Sequence, residues 1–236
     1  MRIALLSLIA LGVLAQPVVL PSSPCPAPEE VLQFLLGMDL APEFRAAVAG
    51  ALSAGMATGR ATPTVSLLLL QDLARLPREA AERILEVIRF ALAQGFIVDT
   101  GLVGSSMMNE ARKLLALGRK PEEIEAVLRM RLAVLLATRS VLSRSGVVAA
   151  SPAPPDKPLP PEERFVLEVA WAVGDFVLWE GGAFADPRLF PFVQGRLNRL
   201  CSVGVLSAEQ CQRSVVALTP EMLQEIGRLA FQPERR

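Results

Sequence analysis

The sequence predicts an all-α protein, a bundle or array of about ten helices. Apolar residues recur at spacings of three and four along most of the chain, which is the period of one helix face. Proline followed by acidic residues repeatedly precedes these stretches, and this combination suits the first turn of a helix, where the N–H groups are free and the dipole is positive. No segment alternates with period two over a useful length, so no strand is predicted.

Six helices are predicted before the proline-rich segment in the middle of the chain. Pro28, Pro42 and Pro121 begin three of them, because each precedes glutamate. Thr62 is expected to cap the third helix, and Gly118 is expected to end the fifth. The predicted ranges are 28–37, 42–55, 63–73, 77–94, 102–117 and 121–145.

Four more helices are predicted after that segment. The first covers about 161–180, and the second begins near Asp186 and ends at Gly204, with Pro191 either bending it or delaying its start. Ser207 and Gln210 form a capping box that opens the ninth helix. Thr219 precedes proline and glutamate and opens the tenth, which runs to about residue 231.

Two proline-rich segments organise the chain, because such runs form neither helix nor central strand. We predict two helical lobes joined by a proline-rich linker. The alternative is one compact domain crossed by a long loop. The predicted parts are a signal peptide (1–15), a proline-rich tether (16–28), an N-terminal lobe (29–148), the linker (149–161) and a C-terminal lobe (162–236).

The first fifteen residues, MRIALLSLIALGVLA, have the layout of a secretory signal peptide. Arg2 gives a positive start, an apolar run follows, and small residues precede a cleavage point after Ala15. The mature chain is then expected to begin at Gln16 in the periplasm or outside the cell. The alternative is an uncleaved membrane anchor, since the apolar run extended to Leu20 reaches about 18 residues, the lower limit of a span.

Composition excludes several function classes. The chain has 24 basic and 24 acidic residues, so it has no long-range field to attract nucleic acid. It has no histidine and no tyrosine, which excludes histidine-based acid–base catalysis, catalytic triads and histidine metal ligands. We therefore expect no nucleic-acid partner, no cofactor and no metal, and the abundance of arginine over lysine suits a bacterial source.

Three cysteines, Cys25, Cys201 and Cys211, leave one thiol without an intramolecular partner. Cys201 lies in the last turn of one predicted helix and Cys211 in the first turn of the next. A short antiparallel connection brings such positions within the ~4.4–6.8 Å between Cα atoms that a disulfide needs. We predict a Cys201–Cys211 disulfide, with Cys25 as the odd thiol; the alternative is two free thiols packed side by side.

The long helix 121–145 carries four arginines, Arg129, Arg131, Arg139 and Arg144. Arg129 and Arg131 lie about 200° apart around the helix, so the four do not form one stripe. They are predicted to be solvated flanks of a helix that is otherwise part of the core; the alternative is a site for an anionic surface.

Helix 161–180 carries both tryptophans of the protein together with two acids on one face. Glu168, Trp171, Asp175 and Trp179 fall within an arc of about 80°. Indoles stack on sugar rings and carboxylates accept sugar hydroxyls, so this face is a candidate ligand-binding site; it can also bind a cation. The alternative is a central helix with the acids at its wet edge and the indoles half-buried.

The sequence contains no catalytic constellation, and the two acids fit glycosidase chemistry poorly. Seven residues separate Glu168 from Asp175, about 10.5 Å along the axis, whereas glycosidase carboxyls lie about 5 to 9.5 Å apart. We therefore expect an exported, non-enzymatic helical protein that binds another cell-envelope component, protein or glycan, and touches the membrane only if its N-terminus is uncleaved. The alternative is a cell-wall-directed glycan hydrolase that uses carboxylates of the C-terminal lobe.

Overall fold

The computed structural model describes residues 26–93, 105–148 and 161–231. Helices account for 78% of these residues and no strand occurs among them, which confirms the all-α prediction. The ten helices are α1 (Pro28–Gly37), α2 (Pro42–Ala57), α3 (Pro63–Leu73), α4 (Arg78–Ala93), α5 (Ser105–Ala116), α6 (Pro121–Arg144), α7 (Pro161–Trp179), α8 (Leu189–Ser202), α9 (Ala208–Ala217) and α10 (Pro220–Ala230).

The helix ends follow the local signals of the sequence. The side chains of Thr62, Ser207 and Thr219 each accept a hydrogen bond from the backbone N–H three residues later, at 3.2–3.4 Å, so they cap α3, α9 and α10 as predicted. Five glycines that follow helices adopt the left-handed conformation, which glycine takes without steric cost: Gly59, Gly118, Gly146, Gly181 and Gly204, with φ between 62° and 73°.

Helix α8 begins later than its first sequence signal, at Leu189. Pro191 then lies in the first turn, where a missing N–H removes no intrahelical hydrogen bond. The side chain of Asp186 accepts a hydrogen bond from the backbone N–H of Arg188 at 2.9 Å, so the two residues before α8 form a turn. Of the two alternatives for Pro191, the delayed start is therefore the one observed.

Helix α2 is capped by a neighbouring helix. Its N-cap residue, Ala41, has no side-chain oxygen to offer. Instead the backbone N–H of Ala41 donates to Oε1 of Glu82 on α4 at 3.1 Å. This hydrogen bond lowers the pKa of Glu82, and the nearby Arg78 lowers it further. The cap therefore also joins α2 to α4.

Helix α6 is the centre of the molecule. It packs against α4, α5, α7 and α10. Its most buried face follows alternating spacings of four and three residues, the pattern of a helix seam. The positions on this seam are Ile124, Leu128, Arg131, Leu135, Thr138 and Leu142, all at 0–1% exposure.

The helices on either side of the proline-rich segment pack directly on each other. The apolar residues of α1–α6 and of α7–α10 belong to one continuous buried cluster. Ion pairs also cross between the two groups, Arg139 with Glu163 at 2.5 Å and Arg144 with Glu225 at 3.4 Å. The division into two domains stays a prediction. The signal peptide, residues 16–25 of the tether and linker residues 149–160 lie outside the described residues.

A disulfide joins the last turn of α8 to the first turn of α9. The Cα atoms of Cys201 and Cys211 are 5.9 Å apart, and their sulfur atoms are bonded. The predicted pairing is confirmed, because the short turn between the helices sets the two residues side by side. Cys25 lies outside the described residues.

Removal of this disulfide is expected to destabilise the protein. The bond closes a loop of ten residues, for which loop entropy in the unfolded chain gives a little under ~3 kcal/mol. The double variant C201S/C211S should lose about that much free energy of unfolding in urea, while its helical circular dichroism stays unchanged. The variant C25S is the control and should unfold at the wild-type midpoint. Equal midpoints for wild type and the double variant would contradict the expectation.

Candidate functional site

Arg131 overturns the prediction that all four arginines of α6 are solvated. Its residue exposure is 1%, whereas the side chains of Arg129, Arg139 and Arg144 are 37%, 31% and 58% exposed. The reason is its place on the buried seam of α6, between Leu128 and Leu135. This signal was present in the sequence, since the apolar positions on either side already define the seam.

A buried guanidinium must exchange its hydration for hydrogen bonds and opposite charge. Nη2 of Arg131 donates to Glu110 of α5 at 3.1 Å and to Asp175 of α7 at 2.5 Å. Nη1 donates to the backbone carbonyl of Trp171 at 3.1 Å. Nε is buried and has no hydrogen-bond partner among the described residues. We call Arg131, Glu110 and Asp175 the buried charge cluster.

Both acids of the predicted ligand-binding face interact with arginines. The two oxygens of Asp175 accept hydrogen bonds from Arg131 and from Arg196 of α8. Glu168 lies 4.0 Å from Arg196 and 3.9 Å from Arg164. The side chains of Asp175 and Glu168 are 23% and 16% exposed, so both acids lie mostly among arginines and away from solvent.

The two tryptophans have different surroundings. Trp171 is half-buried, and the Arg131 guanidinium lies 5.4 Å from the centre of its ring. Trp179 is 37% exposed at the end of α7, eight residues or about 12 Å further along the helix. Nζ of Lys113 on α5 lies 3.8 Å from the centre of the Trp179 ring, a cation–π contact. Trp171 thus belongs with the buried charge cluster, and Trp179 with the surface.

A cavity of about 140 Å³ opens beside Trp179. Its apolar wall comes from α5, α6 and α7, and two charged residues of the α5–α6 region lie at its mouth. We call it the Trp179 pocket; its lining residues are Leu114, Arg119, Glu123, Val127, Leu178 and Trp179. Sequence reasoning missed it because it depends on how α5 packs against the end of α7.

Two larger grooves lie elsewhere on the surface. One, of about 430 Å³, is bounded by the end of α1 and by the turn between α3 and α4, and the Arg78–Asp39 ion pair at 3.4 Å lies at its edge. The other, of about 600 Å³, lies between the end of α6 and the starts of α7 and α9. Its lining includes Val148 and Pro161, which flank residues 149–160.

No family model, curated protein or solved structure matches this chain. Among the described helices, none is both long and apolar enough to cross a membrane.

The packing of Arg131 on α7 predicts opposite effects for two glycine-to-alanine substitutions. A Cβ atom at Gly174 would lie 2.5 Å from Nη1 of Arg131, whereas one at Gly195 would meet nothing within 4 Å. G195A should raise the free energy of unfolding by about 0.5–1 kcal/mol, because alanine is the better helix former. G174A should lower it by about 1–3 kcal/mol, since the bonded guanidinium must move.

Urea unfolding of the two variants beside the wild type measures this difference. Stabilisation of G174A to the same extent as G195A would contradict the close packing of Arg131 against α7.

Proposed function

We propose that this chain is an exported, non-enzymatic helical protein that binds another component of the cell envelope, protein or glycan. The observation that carries the exported part is the Cys201–Cys211 bond, with Cα atoms at 5.9 Å. Disulfides form and persist mainly in oxidising compartments such as the periplasm. The signal-like sequence of residues 1–15 supports the same location.

Support for binding comes from the surface around Trp179. An indole that is 37% exposed beside a small cavity is the kind of group that dominates recognition surfaces. Leu117, which is 58% exposed, lies in the turn that follows α5, and its backbone N–H donates to the carbonyl of Lys113 at 3.1 Å. We propose this end of α5 and α7 as the binding surface, in place of the whole predicted face.

We do not extend the proposal to the glycan hydrolase. The carboxylates that such an enzyme would use, Glu168 and Asp175, are surrounded by Arg131, Arg164 and Arg196. A general acid or base must contact the substrate, and hydrogen bonds from Arg131 and Arg196 already occupy both oxygens of Asp175. These contacts suit a structural role for both acids.

The export proposal predicts the mature form of the protein. Expressed from residue 1 in a bacterium that has a periplasm, the chain should be recovered from the periplasmic or extracellular fraction with Gln16 as its first residue. Intact-mass analysis and non-reducing peptide mapping should also find Cys201 joined to Cys211. A soluble cytoplasmic species that retains Met1 would contradict export, and retention of Met1 in the membrane fraction would favour the anchor.

The binding proposal predicts site-specific crosslinking in an envelope fraction. A photoreactive residue in place of Leu117 should form an adduct with one defined envelope component. The control carries the same residue in place of Val203, which is 66% exposed in the turn between α8 and α9. Adducts from both positions, or from neither, would contradict a binding surface at the Trp179 end of α7.

A further inference from the structure

The Trp179 pocket is concave, apolar inside and charged at its mouth. Leu114, Val127 and Leu178 form the apolar part, with the indole as one wall. Its volume of about 140 Å³ is below the roughly 300–1,000 Å³ of ordinary small-molecule sites. A cavity of this size suits a single apolar side chain, the kind of anchor that fills pockets at protein interfaces.

Three basic residues, Lys113, Arg119 and Lys120, line the pocket or adjoin its lining residues, as do two acidic ones, Glu123 and Glu180. Lys113 and Lys120 form no ion pair among the described residues, and both are exposed. Arg119 lies 3.6 Å from Glu123, and both of these side chains are about half exposed.

The two acids beside the pocket balance only part of this positive charge. Glu123 pairs with Arg119 and also accepts a hydrogen bond from the backbone N–H of Lys120 at 2.9 Å. Glu180, next to Trp179, is exposed. Three basic residues against two acidic ones leave an excess of positive charge, which favours an acidic ligand.

We propose that the Trp179 pocket binds an acidic peptide segment of a partner protein through one apolar anchor side chain. The anchor enters between Leu114, Val127 and Leu178, and acidic residues on either side of it meet Lys113 and Lys120. This inference rests on the proposed binding function and deepens it, because it selects a protein partner over a glycan.

The pocket favours a peptide over an anionic membrane, the other partner that basic and aromatic residues attract. A bilayer presents a broad surface, which does not fit into a recessed cavity of this size. One face of the indole is also covered by the Lys113 ammonium at 3.8 Å, so the ring does not project freely toward lipid. Membrane binding is therefore an outcome that the experiment must be able to detect.

Five blocked pentapeptides test the proposal. Each carries two acidic residues on either side of a central leucine, isoleucine, valine, methionine or phenylalanine, and binding to the purified mature protein is followed by calorimetry. At least one should bind saturably at low salt. Replacing its central residue with glycine, or its acids with lysines, should weaken binding about tenfold or more, because the anchor or the charge is lost.

Two variants locate the site. V127F fills the cavity and should weaken binding about tenfold. V203F is the matched control, because it adds the same ring at an exposed valine away from the pocket. K113Q/K120Q changes only exposed side chains, so it keeps the proposal testable if V127F unfolds. This double variant should bind the peptide more weakly, and its peptide affinity should depend less on salt concentration.

Several results would overturn the inference. The first is that none of the five peptides binds saturably. The second is that folded V127F binds peptide as tightly as the wild type. The third is that the peptides do not bind while phosphatidylglycerol vesicles do, with vesicle binding lost in K113Q/K120Q. None of these results bears on the export proposal, which is tested by the mass of the mature protein, or on the envelope-binding proposal, which is tested by the crosslinked adduct at position 117.

Discussion

The buried guanidinium of Arg131 is the constraint on which the packing of this protein depends. Its residue exposure is 1%, at the middle of the central helix, where a charge without partners would cost several kcal/mol. Three groups from two other helices compensate it: the carboxylates of Glu110 and Asp175 and the carbonyl of Trp171. Since all three must reach one planar group, α5 and α7 can each pack against α6 in only one register.

This constraint also determines which part of α7 can recognise a ligand. Asp175 forms ion pairs with Arg131 and Arg196, and Glu168 lies near Arg196. The middle of α7 therefore helps to hold α6, α7 and α8 together. The register that Arg131 imposes on α5 and α7 brings Lys113 over Trp179 and forms the small pocket at the end of the helix. Structural charge and candidate recognition surface thus occupy different parts of one helix.

Local signals made the helices predictable, and long-range packing did not follow from them. Thr62, Ser207 and Thr219 cap within three residues of their own position, so their roles can be recognised in the sequence. The disulfide was predictable for the same reason, since Cys201 and Cys211 flank one short turn. The prediction that Arg131 is solvated was wrong because its angular position around α6 was compared with those of the other arginines. Comparison with the leucines of its own seam places it on the buried face. The Trp179 pocket needs residues from α5, α6 and α7, and no spacing within one helix encodes it.

The most direct test of the account is a double-mutant cycle between Arg131 and Glu110, measured by urea unfolding. R131M leaves the buried carboxylate of Glu110 without its arginine and leaves Asp175 with Arg196 alone, and it should lower the free energy of unfolding by about 3–5 kcal/mol. Adding E110Q removes one of those charges, so the double variant should be more stable than the sum of the single effects predicts, by about 1–3 kcal/mol. Effects that add to within about 0.5 kcal/mol would contradict the claim that this buried pair governs the packing of α5 on α6.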